Sequence, residues 1–154
     1  MEVEIAGALR QTELDFTVQP GRVTGFLGPT GAGKLTTMRV ILGLDAPTAG
    51  RPLIAGRSYR QITGPLRQVG SLLDAGALNP GRSGWQHLWS VAQSNGIDER
   101  RVREVLDLTG VESVAQRPVG TFSLGMKHRL GIALALLSDP PILVCDEPAD
   151  GPDP

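Results

Sequence analysis

The chain has 154 residues, enough for one domain with a real core and short for two. Fifteen Lys and Arg against sixteen Asp and Glu leave a net charge of −1, which argues against binding driven by nucleic-acid phosphates. Apolar residues at 40% exclude disorder through low hydrophobicity, and a single cysteine excludes an internal disulfide. Twenty glycines and twelve prolines imply many turns and a backbone that approaches a ligand closely. No apolar run nears the ~20 residues of a membrane span. The segment Met1-Glu2-Val3-Glu4-Ile5 has no basic region followed by an apolar stretch, so no secretory signal is read there and the chain reads as cytosolic.

Leu14, Phe16 and Val18 alternate with Asp15 and Thr17, the pattern of a half-buried strand. Pro20-Gly21 turns the chain, and Val23 to Leu27 reads as a second, more buried strand. A glycine-rich loop, Gly28-Pro29-Thr30-Gly31-Ala32-Gly33-Lys34, follows, and Thr36 to Leu44 reads as a helix. Ala46 to Gly50 is a turn cluster; Leu53 to Ala55 and Val69 to Leu73 are short strand candidates. Trp85, Leu88, Trp89 and Ala92 lie on one face of a helix ending near Asn95-Gly96. Asp98 caps a second helix with Val102, Val105, Leu106 and Leu108 on its apolar side, and Ser123 caps a third that runs to about Leu137. Ile142 to Cys145 is a continuous apolar run, as in a strand buried on both faces, and ends in Asp146-Glu147. The order predicts a parallel α/β core with a helical insertion of roughly residues 83–117. Ligands bind such sheets at the carboxyl ends of strands, where the glycine loop and Asp146-Glu147 both fall.

The loop pattern G-x-x-x-x-G-K suits a phosphate. Its glycines let backbone N–H groups converge on an anion, the helix start adds positive potential, and Lys34 adds a point charge for the β- and γ-phosphates. A glycine turn that merely caps a helix is the plainer alternative. Mg²⁺ calls for a hydroxyl directly after the lysine, but Leu35 stands there. Thr36 and Thr37 are rotated about 100° and 200° away on a helix. A water can fill a missing ligand position, since Mg²⁺ keeps several waters. Nucleotide binding is therefore expected to survive in weaker form, with metal-dependent hydrolysis suffering more. Asp146 is the natural metal partner and Glu147 the natural general base for an attacking water; an acidic strand end opening a turn before Pro148 is the alternative. Ser123 and Gly125 open a helix at its positive end, which is either a plain cap or a second anion site. His87 and His128 have no partner at metal-ligand spacing, and Arg100, Arg101 and Arg103 read as a solvated face.

Together these segments resemble the nucleotide-binding domain of ABC transporters over nearly the whole chain. Gly28 to Lys34 resembles the Walker A loop. Ser123-Leu124-Gly125-Met126-Lys127 resembles the signature motif in the form common among antibiotic exporters of the daunorubicin-resistance type. Ile142 to Glu147 with Pro148 resembles Walker B, and Gly151 to Pro154 the start of the D-loop. The resemblance implies a P-loop NTPase fold of α/β class, with a parallel-rich sheet, a helical signature subdomain near residues 83–130, and a missing C-terminal part. It implies ATP and Mg²⁺ as cofactors. Gly28, Pro29, Thr30, Gly31, Ala32, Gly33, Lys34, Leu35 and Thr36 would line the nucleotide. Ser123 and Gly125 would reach the γ-phosphate held by an opposite subunit, and Asp74, at the Q-loop position, joins Asp146 toward the metal. The partners implied are a multi-span membrane permease and a second nucleotide-binding domain, at the inner face of the cell membrane. The departures are Leu35, Thr30 where asparagine is usual, Asp74 for glutamine, and Pro152 for leucine. The chain also stops before the family's switch histidine. A non-catalytic or relic nucleotide-binding module is the alternative reading.

Overall fold

A computed structural model describes residues 3–9, 12–29 and 31–146. Thr30, Glu147 and the D-loop-like Gly151 to Pro154 lie outside the described residues. The chain forms two compact units, Met1–Pro65 and Leu66–Pro154.

In the N-terminal unit, β1 (Val3–Leu9) pairs antiparallel with β2 (Thr12–Val18) and with β3 (Ala49–Ile54), in the order β2-β1-β3. In the backbone register, Ile5 is paired with Phe16 of β2 and with Pro52 of β3. Strand β2 keeps the expected alternation, with Phe16 and Val18 half-buried and Asp15 and Thr17 exposed. Strand β1 has no counterpart in the sequence reading, and Ala49 and Gly50 of the expected turn cluster begin β3 instead. The strand expected over Val23 to Leu27 is absent: these residues join no ladder, and Val23 and Leu27 are exposed. A strand buried on both faces needs neighbours to take its backbone N–H and C=O groups. Here, among the described residues, the three strands of the unit form one sheet without this segment, and Phe26 stacks on Phe16 at 5.6 Å. Helix α1 (Lys34–Ile41) ends three residues before Leu44, because Gly43 turns left-handed at φ 65° and stops it. The close is pinned from two sides. Arg39 holds Asp45 at 2.7 Å, drawing its carboxyl below the usual range, and Arg60 donates twice to the Gly43 carbonyl.

In the C-terminal unit, β4 (Val69–Leu72) runs parallel to β5 (Ile142–Cys145), with Val69 opposite Ile142 and Leu72 opposite Cys145. The three expected helices are present. Helix α2 (Gly84–Ser94) starts at a capping box in which Ser83 and Gln86 each accept the other's backbone N–H. Helix α3 (Glu99–Leu108) starts at Asp98, whose carboxylate accepts from the Arg100 amide at 2.7 Å. Helix α4 (Leu124–Leu136) starts at Ser123. Leu88, Ala92, Val102, Val105, Leu106, Leu130, Ala133 and Leu137 are fully buried among them, and Trp85 and Trp89 pack at the edge of that core. The Arg103 guanidinium lies over Trp85, 5.1 Å from the ring centre.

Three local expectations change. Leu108 is exposed, because the buried face of α3 runs through Val102, Val105 and Leu106, and Leu108 lies about 200° of helix rotation from Leu106. Arg101 is not part of a solvated face: it donates to the Leu136 and Leu137 carbonyls and so closes the C-terminal end of α4. Leu143 is 50% exposed, so β5 is not buried on both faces. It pairs with β4 on one edge, and its other edge has no ladder partner among the described residues.

His87 sits on α2 with a buried Nδ1 that has no hydrogen-bond partner among the described residues. Burial, with the Arg82 charge acting in the same direction, holds its imidazole below the ordinary 6.5. Just below pH 6.5 the unfolded chain therefore binds more protons than the folded one, and stability rises with pH through that window. Urea midpoints measured at pH 7 and pH 5.5 are expected to fall on acidification, and to fall less in His87→Gln.

Candidate functional site

The loop between Gly28 and α1 is built on two left-handed glycines. Gly31 has φ 82° and Gly33 φ 84°, and a Cβ at either would meet nothing within 4 Å. The requirement is thus for the torsion rather than for space. Ala32 closes a turn by donating to the Pro29 carbonyl at 3.1 Å. Gly33 is the N-cap of α1, and no side chain caps that end. The first intrahelical bond runs from the Thr37 amide to the Gly33 carbonyl at 2.8 Å. The amides of Lys34, Leu35 and Thr36 are left without intrahelical acceptors, as the first turn of any helix requires. The first turn has no acidic residue to occupy them.

Lys34 folds back over the loop. Its Nζ donates to the Gly28 carbonyl at 2.7 Å and to the Pro29 carbonyl at 3.2 Å. An ammonium group thus stands beside unsatisfied amides at the positive end of a helix, with Gly28, Pro29, Gly31 and Ala32 exposed around it. That arrangement attracts an anion, a phosphate above all.

The residues available to Mg²⁺ fit it poorly. Leu35 has no oxygen and is 43% exposed. The Thr37 hydroxyl donates to the Gly33 carbonyl at 2.9 Å, and the residue is only 2% exposed, so its oxygen braces the helix start. Sequence reasoning missed this brace; the signal was a threonine four residues after the capping glycine, where back-bonding is common. Thr36 is exposed, one position too far round the helix. In the C-terminal unit, the Asp146 amide donates to the Leu72 carbonyl at 2.8 Å, so the β4–β5 ladder carries on to the carboxyl ends of both strands. Asp74 follows β4 at the same end, and its carboxylate is engaged by the Gly76 amide at 2.6 Å, capping a short turn. Among the described residues no group of three or more His, Cys, Asp and Glu could hold a metal ion.

Ser123 is exposed at the start of α4, its Oγ accepting from the Met126 amide at 3.2 Å. Gly125 is half-buried in the first turn. His128, one turn on, has a buried Nδ1 with no partner among the described residues. A depression of about 270 Å³ near Arg67, Ile97, Arg101 and Ser138 lies in the same unit. Its arginines already donate to the Asn95, Leu136 and Leu137 carbonyls.

The family model described as ABC transporter matches residues 11–150. The chain belongs to the ABC transporter family. Its similar proteins include the bacitracin transport ATP-binding protein BcrA of Bacillus licheniformis, 41% identical, which covers 92% of this chain and 47% of that protein. The lantibiotic transport ATP-binding protein SrtF of Streptococcus pyogenes is 36% identical, covering 92% of this chain and 61% of that one. The ABC transporter ATP-binding protein YhcH of Bacillus subtilis is 39% identical over 92% of this chain and 47% of its own length. The chain thus spans about half the length of the curated relatives it matches. A solved ATP-binding subunit of an ABC transporter superposes with TM-score 0.82 at 30% identity, over 100% of this chain and 69% of that one. An ATP-binding protein from Pyrococcus furiosus, at TM-score 0.81 and 23% identity over 99% and 78% of the two chains, shares the fold. The α/β P-loop NTPase reading stands, and among the described residues no helix is long and apolar enough to cross a membrane.

Proposed function

We propose that this chain is the ATP-binding part of an ABC exporter, taking ATP at Gly28 to Lys34 and coupling its binding and hydrolysis to a multi-span membrane permease. The observation that carries the reading is the loop itself: an ammonium held at 2.7 Å from Gly28 O, beside amides that no capping side chain occupies. The names of BcrA and SrtF favour peptide antibiotics as the exported class. In this reading Lys34 neutralises the β- and γ-phosphates, and the amides of Gly31, Gly33 and Leu35 line them, with Pro29, Thr30, Ala32 and Thr36 alongside. Residues 83–130 form the helical subdomain facing the permease. Ser123 and Gly125 at the positive end of α4 reach the γ-phosphate of an opposite subunit. Glu147 acts as general base on the attacking water. Asp146 and Asp74 are the carboxylates that this reading turns toward the metal, and Leu35 offers it no side-chain oxygen. The protein would work as a dimer at the inner face of the membrane. Calorimetric titration with ATP tests the reading: saturable binding displaced by ADP supports it, and a flat titration with a correctly folded chain overturns it.

A further inference from the structure

We propose that the Gly28–Lys34 loop binds ATP no more tightly with Mg²⁺ than without it. The proposal rests on the nucleotide reading of the loop and concerns what that loop can offer a cation. A metal strengthens a nucleotide complex when the protein gives it an oxygen. At the position directly after the lysine that oxygen is missing: Leu35 lies exposed in the first turn of α1 and carries only carbon. The Thr37 hydroxyl is committed to Gly33 O at 2.9 Å and buried. The Thr36 hydroxyl is displaced by about 100° of helix rotation.

What remains at the loop is positive. Backbone amides and the Lys34 ammonium are all donors, and their attraction scales with the charge of the ligand. Free ATP carries about four negative charges near neutral pH, and a bound Mg²⁺ cancels about half of them. A loop that supplies oxygen regains that loss through coordination, and Mg²⁺ holds oxygen ligands in a strict octahedron. A loop whose Gly28 and Pro29 carbonyls are held by Lys34, and which places no side-chain oxygen directly after that lysine, does not. Of the two carboxylates that follow β4 and β5, Asp74 has one oxygen engaged by the Gly76 amide, and Asp146 is probed by substitution.

The test is titration of the full chain with ATP in excess EDTA and again in millimolar Mg²⁺, for the wild type, Leu35→Ser and Asp146→Asn. The wild-type chain is expected to gain less than about threefold in affinity from Mg²⁺, or to lose affinity, whereas Leu35→Ser gains at least about tenfold. Leu35 is exposed, so thermal melts are expected to show that the serine variant folds like the wild type. A wild-type gain of about threefold or more overturns the proposal. If that gain vanishes in Asp146→Asn, the carboxylate is the source of the missing oxygen. A Leu35→Ser chain that gains nothing also overturns it, since the absent hydroxyl is then not the cause. No saturable binding in either medium defeats the nucleotide reading itself, and the proposal falls with it.

Discussion

Lys34→Ala is expected to weaken ATP binding by about 30- to 1,000-fold, equivalent to about 2–4 kcal/mol. Lys34 is the only basic side chain between Gly28 and Thr37. Its ammonium is already positioned by two carbonyls at 2.7 and 3.2 Å, so little side-chain freedom remains to be lost when a phosphate arrives. The amides of the first turn are individually weaker and cannot replace a full charge. Lys34→Arg is expected to recover only part of the loss, because a planar fork does not reproduce a compact point charge with three rotatable donors. Titration in EDTA keeps the metal out of this comparison. A loss below threefold for Lys34→Ala would mean that the ammonium is not what holds the triphosphate.

Gly70→Ala is expected to destabilise the C-terminal unit by about 3 kcal/mol or more. A Cβ on Gly70 would lie 2.0 Å from the Ala135 carbonyl oxygen and 2.8 Å from its carbon. Those are backbone atoms of α4, so relief requires moving a helix away from β4. Overpacking of a well-filled interior ordinarily costs about 1–3 kcal/mol, and a clash with backbone belongs at or above the top of that range. Gly131 is the comparison. A Cβ there comes within 2.5 Å of Leu72 Cδ1, the far end of a flexible side chain, and alanine also improves the helix by about 1 kcal/mol. Gly131→Ala is therefore expected to cost about 1 kcal/mol or less. Urea unfolding followed by the fluorescence of Trp85 and Trp89 reads both variants. Equal midpoints for the two would show that α4 does not approach β4 this closely.

The contrast between the helices and the strands shows what a single sequence discloses. Helices α2, α3 and α4 announce themselves because their signals are local: Asp98 and Ser123 satisfy amides two or three residues away. The apolar spacing of Leu88 and Ala92, or of Val102, Val105 and Leu106, needs no distant partner to be recognised. Strands depend on what lies beside them. Val23 to Leu27 has the composition of an interior strand and forms no ladder, whereas Val3–Leu9, which carried no alternation strong enough to single out, is the centre of a sheet. The glycine loop was legible because phosphate chemistry fixes both residue types and spacing. The bonds that tune it were not. Whether the Thr37 hydroxyl points at Gly33 O, or the Asp74 carboxylate at the Gly76 amide, is settled by rotamer and turn geometry rather than by residue type. Arg101 was misjudged for a related reason: charge patterning along α3 does not reveal that the end of another helix has carbonyls to offer.

The open space around Gly31 and Gly33 inverts the usual size rule for replacing a glycine. Alanine would fit sterically at both places and still be forced into a torsion that costs an L-residue roughly 1–2 kcal/mol. Asparagine is bulkier, yet visits that torsion more readily because its amide bonds to nearby backbone. Gly31→Asn should consequently retain more thermal stability than Gly31→Ala. An engineer diversifying this segment would do better to rank substitutes by handedness than by volume.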